Sequence, residues 1–220
     1  MSPTTIIAFT IIGIVAVSCY VVFMSRAAVI KNKINSVPAK KISEVKDGET
    51  VSIKGKITLV GRTVRAPISN RRCAYYYLKL RDRGGLIVDN VVREDKSGDI
   101  VIFDGEDYAV IKGPKIEALV NFDKDYSYDA WPNSVLDFFT NSKELEKYME
   151  KSKSSRSFIE DVRMNVYAAE GILTEGETVM AAGKASWKSS AKLMLNLPQK
   201  NVLCIEALNE HGVYLTEDLF

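Results

Sequence analysis

The chain has few of the residues from which metal sites, disulfide frameworks and acid–base centres are built. It contains one histidine, His211, and three cysteines, Cys19, Cys73 and Cys204. Two closed structural zinc sites need four Cys or His ligands each, so this composition excludes them. A secreted domain built on disulfides usually has more cysteines, in even number, although Cys73 and Cys204 could still pair. The cysteine content favours a reducing compartment.

Common catalytic and nucleotide-binding motifs are also missing. There is no P-loop, no G-x-G-x-x-G and no G-x-S-x-G in the sequence. Cys73 and His211 could form a nucleophile–base pair. However, Cys73 lies in an apolar alternating stretch typical of a buried thiol, and His211 precedes Gly212 as a turn residue would. We therefore predict no catalytic residue, no cofactor and no metal ligand.

Acidic side chains are clustered at two places, Asp104-Gly105-Glu106-Asp107 and Asp123-Lys124-Asp125. Such clusters can attract a divalent cation, but neither matches the ligand spacing of an EF-hand. We interpret both clusters as solvated loops.

The overall charge is nearly balanced, with 30 basic and 28 acidic residues and a formal net charge of +2. This balance does not require a nucleic acid or an acidic partner. Hydrophobic residues make up 46% of the chain and charged residues 26%, as in an ordinary folded protein. A chain of 220 residues can hold one or two domains of about 100–200 residues each.

One long run departs from this average composition. Thr5–Met24 contains no charged residue, and at about 1.5 Å per residue a helix of this length crosses the hydrocarbon layer of about 30 Å. A cleaved secretory signal is the alternative, but no basic residue precedes the run and no small-x-small cleavage site follows it. We predict a single-pass membrane helix over residues 5–24, in contact with lipid. The cations after it predict that the N-terminus crosses and the remainder stays cytoplasmic; they are Arg26, Lys31, Lys33, Lys40 and Lys41.

Residues 25–40 form a predicted juxtamembrane linker, in which a helix continues for a few turns until Pro38 ends it. From residue 41 onward, β patterns dominate. A nine-residue block, GETVSIKGK from Gly48, returns as GETVMAAGK from Gly176. Each copy reads as a turn, a β-branched strand start and a glycine that bends the strand. Repeated blocks of this kind predict two related β-structures.

Short strands at regular spacing predict a small barrel or sandwich. The predicted strands between the two copies are 73–82, 86–94, 99–104, 108–113 and 115–120, with a hairpin turn at Gly105-Glu106. Residues 121–133 are predicted as loop and 133–151 as helix, with Asn141 and Glu144 as a capping pair. Further strands are predicted in RMNVYAAEGI, TVMAAGKASW, KLMLNL and NVLCIEAL.

The predicted fold class is mainly β with one or two helices: an OB-like small barrel plus a second β unit, behind one transmembrane helix. The predicted domains are a transmembrane helix at 5–24, a linker at 25–40 and a soluble region at 41–220. Within the soluble region, 41–133 forms the barrel, 134–156 a helix and linker, and 157–220 the second β unit.

A block in the first β region resembles a known family. The stretch APISNRRCAYY, from Ala66 to Tyr76, resembles the AP-x-S-x-x-x-C-x-Y-Y stretch of the GIDE domain. This module is shared by mitochondrial RING-type ubiquitin ligases and prokaryotic relatives. KISEVKDGETVSIKGKI before it and YAAEGILTEGETVMAAGKA after it are similar to further blocks of that family. The resemblance covers residues 38–220 and implies a membrane-associated module. The eukaryotic ligases add a RING with two zinc sites, which this composition excludes here.

Basic residues gather around the same block. From Lys54 to Arg83 there are nine basic residues and one acid, Asp82. Arginine next to aromatic side chains on an OB-like strand can bind single-stranded nucleic acid through phosphate pairing and stacking, or lipid headgroups. Alternatively, at least one of the alternating tyrosines faces the core and the arginines are simply solvated. The candidate binding surface comprises Arg62, Arg65, Arg71, Arg72, Tyr75, Tyr76 and Tyr77.

These observations favour a membrane-anchored, non-catalytic interaction or scaffold module that displays a GIDE-like β-domain to the cytoplasm and binds an unknown protein partner. A nucleic-acid or anionic-lipid binder that uses the Arg62–Arg72 loop is the alternative. Ubiquitin ligation would require a RING on a separate protein.

Overall fold

The computed structural model describes residues 25–82, 92–129, 142–153, 165–208 and 212–217. These ranges contain two helices, α1 (Arg26–Asn35) and α2 (Lys143–Lys153). Their strands are β1 (Thr50–Thr58), β2 (Val64–Arg65), β3 (Arg72–Cys73), β4 (Tyr75–Asp82), β5 (Val92–Ser97), β6 (Ile100–Phe103), β7 (Tyr108–Ile111), β8 (Ile116–Leu119), β9 (Lys124–Asp129), β10 (Asn165–Leu173), β11 (Thr178–Ser189), β12 (Asn201–Glu206) and β13 (Val213–Glu217).

The predicted membrane segment at 5–24 lies outside the described residues. Among the residues that are described, neither helix has the length and apolar character that a membrane span requires.

A closed five-stranded barrel is the centre of the fold, which confirms the predicted small β-barrel. The strands follow the order β1-β6-β7-β12-β11, and pairing of β11 with β1 closes the ring. All of these pairs are antiparallel except β7 with β12, which is parallel. The interior is filled mainly by β-branched side chains, whose burial on a pleated surface favours strands. The β-branched residues include Val51, Ile53, Ile57, Ile100, Ile102, Val179 and Ile205, and Leu203 lies among them.

A second sheet of four antiparallel strands, β5-β4-β10-β9, adjoins the barrel. Its strands come from two separate insertions: β4 and β5 lie between β1 and β6 in the chain, and β9 and β10 lie between β7 and β11. Helix α2 covers one face, where Leu145 is fully buried against Leu78, Tyr126 and Val166. Both sheets therefore combine strands from distant parts of the chain.

Helix α1 packs against the extension of the barrel sheet formed by β13 and β8. It begins at Ser25, whose backbone is extended and whose hydroxyl accepts a hydrogen bond from Ala28 N at 3.2 Å. Ile30 and Ile34, one turn apart, are buried against Ala182 and Tyr214. The predicted helix before Pro38 is confirmed, and this part of the predicted linker is packed against the domain.

The two copies of the nine-residue repeat pair with each other. β1 and β11 are antiparallel, with Thr50 opposite Lys184 and Lys56 opposite Thr178. Each residue of one copy thus has the partner that a local two-fold rotation requires. Gly48 N donates to Ala185 O at 2.8 Å, and Gly176 N donates to Ile57 O at the same distance. The repeat is structural and lies where the barrel closes.

The turn before each copy caps the other copy's strand. The Asp47 carboxylate accepts from Trp187 N at 2.8 Å, and the Glu175 carboxylate accepts from Leu59 N at 2.5 Å. The first glycine of each copy, Gly48 and Gly176, has φ of 79° and 85° respectively, a left-handed conformation that favours glycine. The first glycine of each copy is therefore shared because both turns need it.

The second glycine of each copy lies where a neighbouring strand approaches closely. A Cβ on Gly55 would lie 2.6 Å from Phe103 O of β6, and a Cβ on Gly183 would lie 2.5 Å from Ile205 Cγ2 of β12. Carbon atoms in contact are normally about 3.5–4.0 Å apart. These two positions disfavour any side chain because atoms of the neighbouring strands β6 and β12 approach them closely.

Several sequence-based assignments were wrong. Residues 121–133 were predicted as loop, yet β9 forms there because it pairs with β10 and buries Tyr126. KLMLNL was predicted as a strand, but Ser190–Leu193 is a 3-10 turn that ends at Met194 with φ 55°. The α2 helix continues to Lys153, and its first turn is capped by the Ser142 hydroxyl. Residues 86–91 of one predicted strand, the end of the predicted loop from 130, and the start of the predicted helix up to Asn141 lie outside the described residues.

The predicted separation into a barrel at 41–133 and a second β unit at 157–220 does not hold. β11 and β12 complete the barrel that β1, β6 and β7 begin, while β10 completes the second sheet. Long-range pairs such as Thr50 with Lys184 and Tyr75 with Leu173 decide this arrangement, and no local pattern encodes it.

Candidate functional site

The basic block forms a small hairpin, which we call the arm (residues 64–73). In it, β2 pairs with β3, with Val64 opposite Cys73 and Arg65 opposite Arg72. Ala66 N donates to Arg71 O at 2.9 Å and closes the connecting loop. Asn70 adopts φ 56°, a left-handed conformation that asparagine tolerates better than most residues. Pro67 and Asn70 therefore explain locally why the chain turns here.

A buried carboxylate holds the arm loop from inside. Glu170 of β10 is 2% exposed. It accepts hydrogen bonds from Ile68 N at 2.9 Å and from Ser69 N at 3.2 Å, and Tyr126 OH lies 3.5 Å away. Burial is the main cause that raises the pKa of Tyr126 to about 12, and the charge of Glu170 is the second cause. Buried charges are tolerated only when hydrogen-bonded in this way.

The arm contacts the sheet through an apolar inner side and a close backbone approach. Val64, Ala66 and Cys73 pack against Tyr76 and Ile172. Next to Glu170, a Cβ on Gly171 would overlap Asn121 O, which lets the segment before β9 lie against the sheet. The arm is consequently fixed on its inner side by both packing and hydrogen bonds.

The outer side of the arm carries the predicted arginines. Arg62, Arg65, Arg71 and Arg72 are all exposed. Arg71 forms an ion pair with Asp123 at 2.9 Å, Arg65 donates to Asn70 O at 3.0 Å, and Arg72 donates to Thr63 Oγ1 at 2.9 Å. The arginines thus share one basic surface, although three of them also contact the arm or its neighbour.

The predicted tyrosines do not join that surface. Tyr75 lies in the barrel core and Tyr76 behind the arm, with 1% and 4% exposure. Burial is the main cause that raises both hydroxyl pKa values, and Tyr76 OH donates to Glu94 at 2.7 Å. Tyr77 is half-buried and points away from the arm because successive strand residues alternate faces. A row of three tyrosines for base stacking is therefore absent from these described residues.

Cys73, which was considered above as a nucleophile and interpreted as a buried thiol, is buried. Cys73 and Cys204 are both free, fully buried thiols. Burial raises the pKa of Cys73 to about 11, and burial also raises the pKa of Cys204. Because the thiolate is the nucleophile, neither environment activates its sulfur. His211, the partner considered for Cys73, lies outside the described residues.

The two acidic clusters have structural partners. Asp104 accepts hydrogen bonds from the backbone N–H groups of Ile42, Glu106 and Asp107. Burial acts to raise the pKa of Asp104, but together these hydrogen bonds outweigh it and the pKa is lowered. Asp123 is paired with Arg71. In the part of the chain that the structure describes, no group of three or more His, Cys, Asp or Glu side chains could hold a metal ion.

Sequence reasoning missed Glu170, the residue that organises this site. The available signal was a glutamate within YAAEGIL, a strand whose other side chains are small or apolar. A charged residue at such a position indicates a buried partner, but its identity depends on the tertiary structure.

Comparison of the chain with protein-family models, curated proteins and solved structures found no match.

Proposed function

We propose that the chain is a membrane-anchored, non-catalytic interaction module that displays a GIDE-like β-domain to the cytoplasm and recruits a protein partner there. The main support for this proposal is the transition from the apolar run to α1. The apolar run ends at Met24, and α1 starts directly afterwards at its Ser25 cap. Arg26 forms an ion pair with Glu117 of β8 at 3.4 Å and lies 5.4 Å from the ring centre of Tyr77 in β4. The domain thus begins at the end of the proposed span, without a loose tether.

Contact between the two characteristic blocks supports the proposed relationship to the GIDE domain. Ile68 and Ser69 of the AP-x-S stretch donate to Glu170 of the YAAEG stretch. If the five barrel strands β1, β6, β7, β11 and β12 are numbered 1 to 5 along the chain, their order around the ring is 1-2-3-5-4. This order is compatible with an OB-like barrel. Ubiquitin ligation remains possible only with a RING supplied by another protein.

Membrane extraction and protease accessibility test the anchor and its orientation. We expect the full chain, produced in bacterial membranes, to resist alkaline carbonate extraction. Trypsin should cleave the domain in inverted vesicles and leave it intact in spheroplasts, because the cations after residue 24 keep it cytoplasmic. Release by carbonate, or cleavage in intact spheroplasts, would contradict the proposal.

The exposed arginines favour a second candidate, an anion-binding surface on the arm. Phosphate groups of nucleic acid or lipid would contact Arg62, Arg65, Arg71 and Arg72. Burial of Tyr75 and Tyr76 removes most of the proposed stacking, so charge would supply nearly all of the affinity.

Replacement of both Arg71 and Arg72 by alanine separates these two candidates. We expect the variant to stay folded, because an exposed ion pair such as Arg71–Asp123 is worth about 0–1 kcal/mol. Binding of a single-stranded oligonucleotide or of phosphatidylserine vesicles is measured as salt increases. An arm-based anion site predicts a steep loss of affinity with salt and roughly tenfold weaker binding in the variant.

A protein interface elsewhere predicts no such salt-dependent binding in either form. A markedly lower melting temperature of the double variant would mean that these arginines are structural.

A further inference from the structure

We propose that a surface formed by Arg26, Tyr77 and Phe122, here called the Phe122 face, lies against the cytoplasmic surface of the bilayer. This inference rests on the proposed membrane anchor and adds which side of the domain meets the lipid. The occupant of the face is the headgroup layer of the membrane in which residues 5–24 are anchored.

The three side chains of the Phe122 face are contiguous. The Arg26 guanidinium lies 5.4 Å from the Tyr77 ring centre. The Tyr77 and Phe122 ring centres are 5.9 Å apart, at an interplanar angle of 37°. Tyr77 is therefore packed between a cation and a second ring, and Phe122 is one aromatic ring away from the first turn of α1.

The chain places this face near the membrane surface. Only Ser25 separates Met24, the last residue of the apolar run, from Arg26. Two steps along the chain span at most about 7 Å, and the polar layer of each leaflet is about 5–7 Å thick. Arg26 consequently lies at the level of the lipid phosphates, and the aromatic rings beside it lie close to the same level.

Exposed apolar side chains are concentrated at this junction. Among the described residues, three large hydrophobic side chains are exposed: Val29, Phe122 and Met194. Val29 lies one turn after Arg26 on α1, and Phe122 is 46% exposed beside an open pocket of about 230 Å³. Aromatic side chains are enriched at membrane interfaces, and cations there attract anionic headgroups.

Met194 offers a matched control, because it is 92% exposed but follows the C-terminal end of β11, after the 3-10 turn Ser190–Leu193. Helix α1 packs near Ala182, whereas Met194 follows the last β11 residue, Ser189. A strand rises about 3.3 Å per residue, so these positions are well separated. If apolar exposure alone caused lipid contact, Met194 would contact lipid as readily as Phe122.

The test uses the full chain in vesicles of phosphatidylcholine and phosphatidylserine. Phe122→Cys and Met194→Cys are each labelled with an environment-sensitive fluorophore in a Cys19→Ser background, since Cys73 and Cys204 are buried. Some of the lipids carry bromine near the glycerol backbone. We expect the probe at 122 to be quenched at least about twofold more than the probe at 194, because only the first lies at the interface.

Carbonate extraction of the same labelled vesicles separates the possible failures. Equal quenching at both positions, in protein that resists extraction, would overturn the Phe122 face and leave the anchor intact. Release of the protein by carbonate would overturn both proposals.

Discussion

Replacement of Glu170 by alanine should lower the free energy of unfolding by about 3–5 kcal/mol, because a buried hydrogen-bond acceptor would be lost. Ile68 N and Ser69 N would lose their acceptor, and Tyr126 OH would lose its contact with the Glu170 carboxylate. Each unsatisfied buried group costs about 1–3 kcal/mol, and the missing side chain leaves a cavity as well. Urea unfolding of the full chain in detergent, followed by circular dichroism, measures the loss.

Two further variants identify the cause of this effect. Glu170→Gln keeps an acceptor at nearly the same volume, so it should lose clearly less stability than the alanine variant. Glu150→Ala removes an exposed carboxylate near the end of α2 and should change stability by less than about 0.5 kcal/mol. Equal stability of Glu170→Ala and Glu150→Ala would show that Glu170 does not hold the arm.

Replacement of Gly183 by alanine should destabilise the barrel by about 3 kcal/mol, at the upper end of overpacking costs. The added Cβ would lie 2.5 Å from Ile205 Cγ2 and closer still to Glu206 O. A side chain can rotate away, but the carbonyl belongs to the β12 backbone that pairs with β11. The strands must therefore separate, which the urea midpoint of the purified variant will report.

Gly113→Ala is the matched control for this substitution. Its backbone lies outside the left-handed region, and its nearest neighbours would be at 3.5 Å, an ordinary contact distance. It should be neutral or stabilise the protein by up to about 1 kcal/mol, because alanine restricts the unfolded chain. A Gly183→Ala variant as stable as Gly113→Ala would mean that the barrel can open at this corner without cost.

The turns and most strands could be predicted from local sequence. β-branched runs such as those of β1 and β6 form strands wherever a core is available, and Gly48 and Gly176 indicate turns by their own conformational preference. By contrast, β9 escaped prediction because its residues are polar and acidic. β9 forms because it pairs with the edge of β10. Within β9, Tyr126 is the residue whose type indicates burial.

Only the arginines of the candidate binding surface could be predicted from local sequence; the positions of its tyrosines could not. The arginines around the arm are expected to be exposed because charged side chains are rarely fully buried. The orientation of Tyr75, Tyr76 and Tyr77 depends on which face of β4 meets the barrel, the arm or α1, so an aromatic run could not show that two of its rings are buried. Likewise, nothing near Glu170 in the chain reveals its bonds to Ile68 and Ser69.

The sequence by itself determined the turns, the β-rich composition, the apolar run at 5–24 and the repeat, because each depends on preferences of nearby residues. Only the tertiary structure decided that the two copies of the repeat pair with each other and close the barrel, and that Glu170 supports the arm. These contacts join residues about a hundred positions apart, and they form only after the chain has brought complementary edges together.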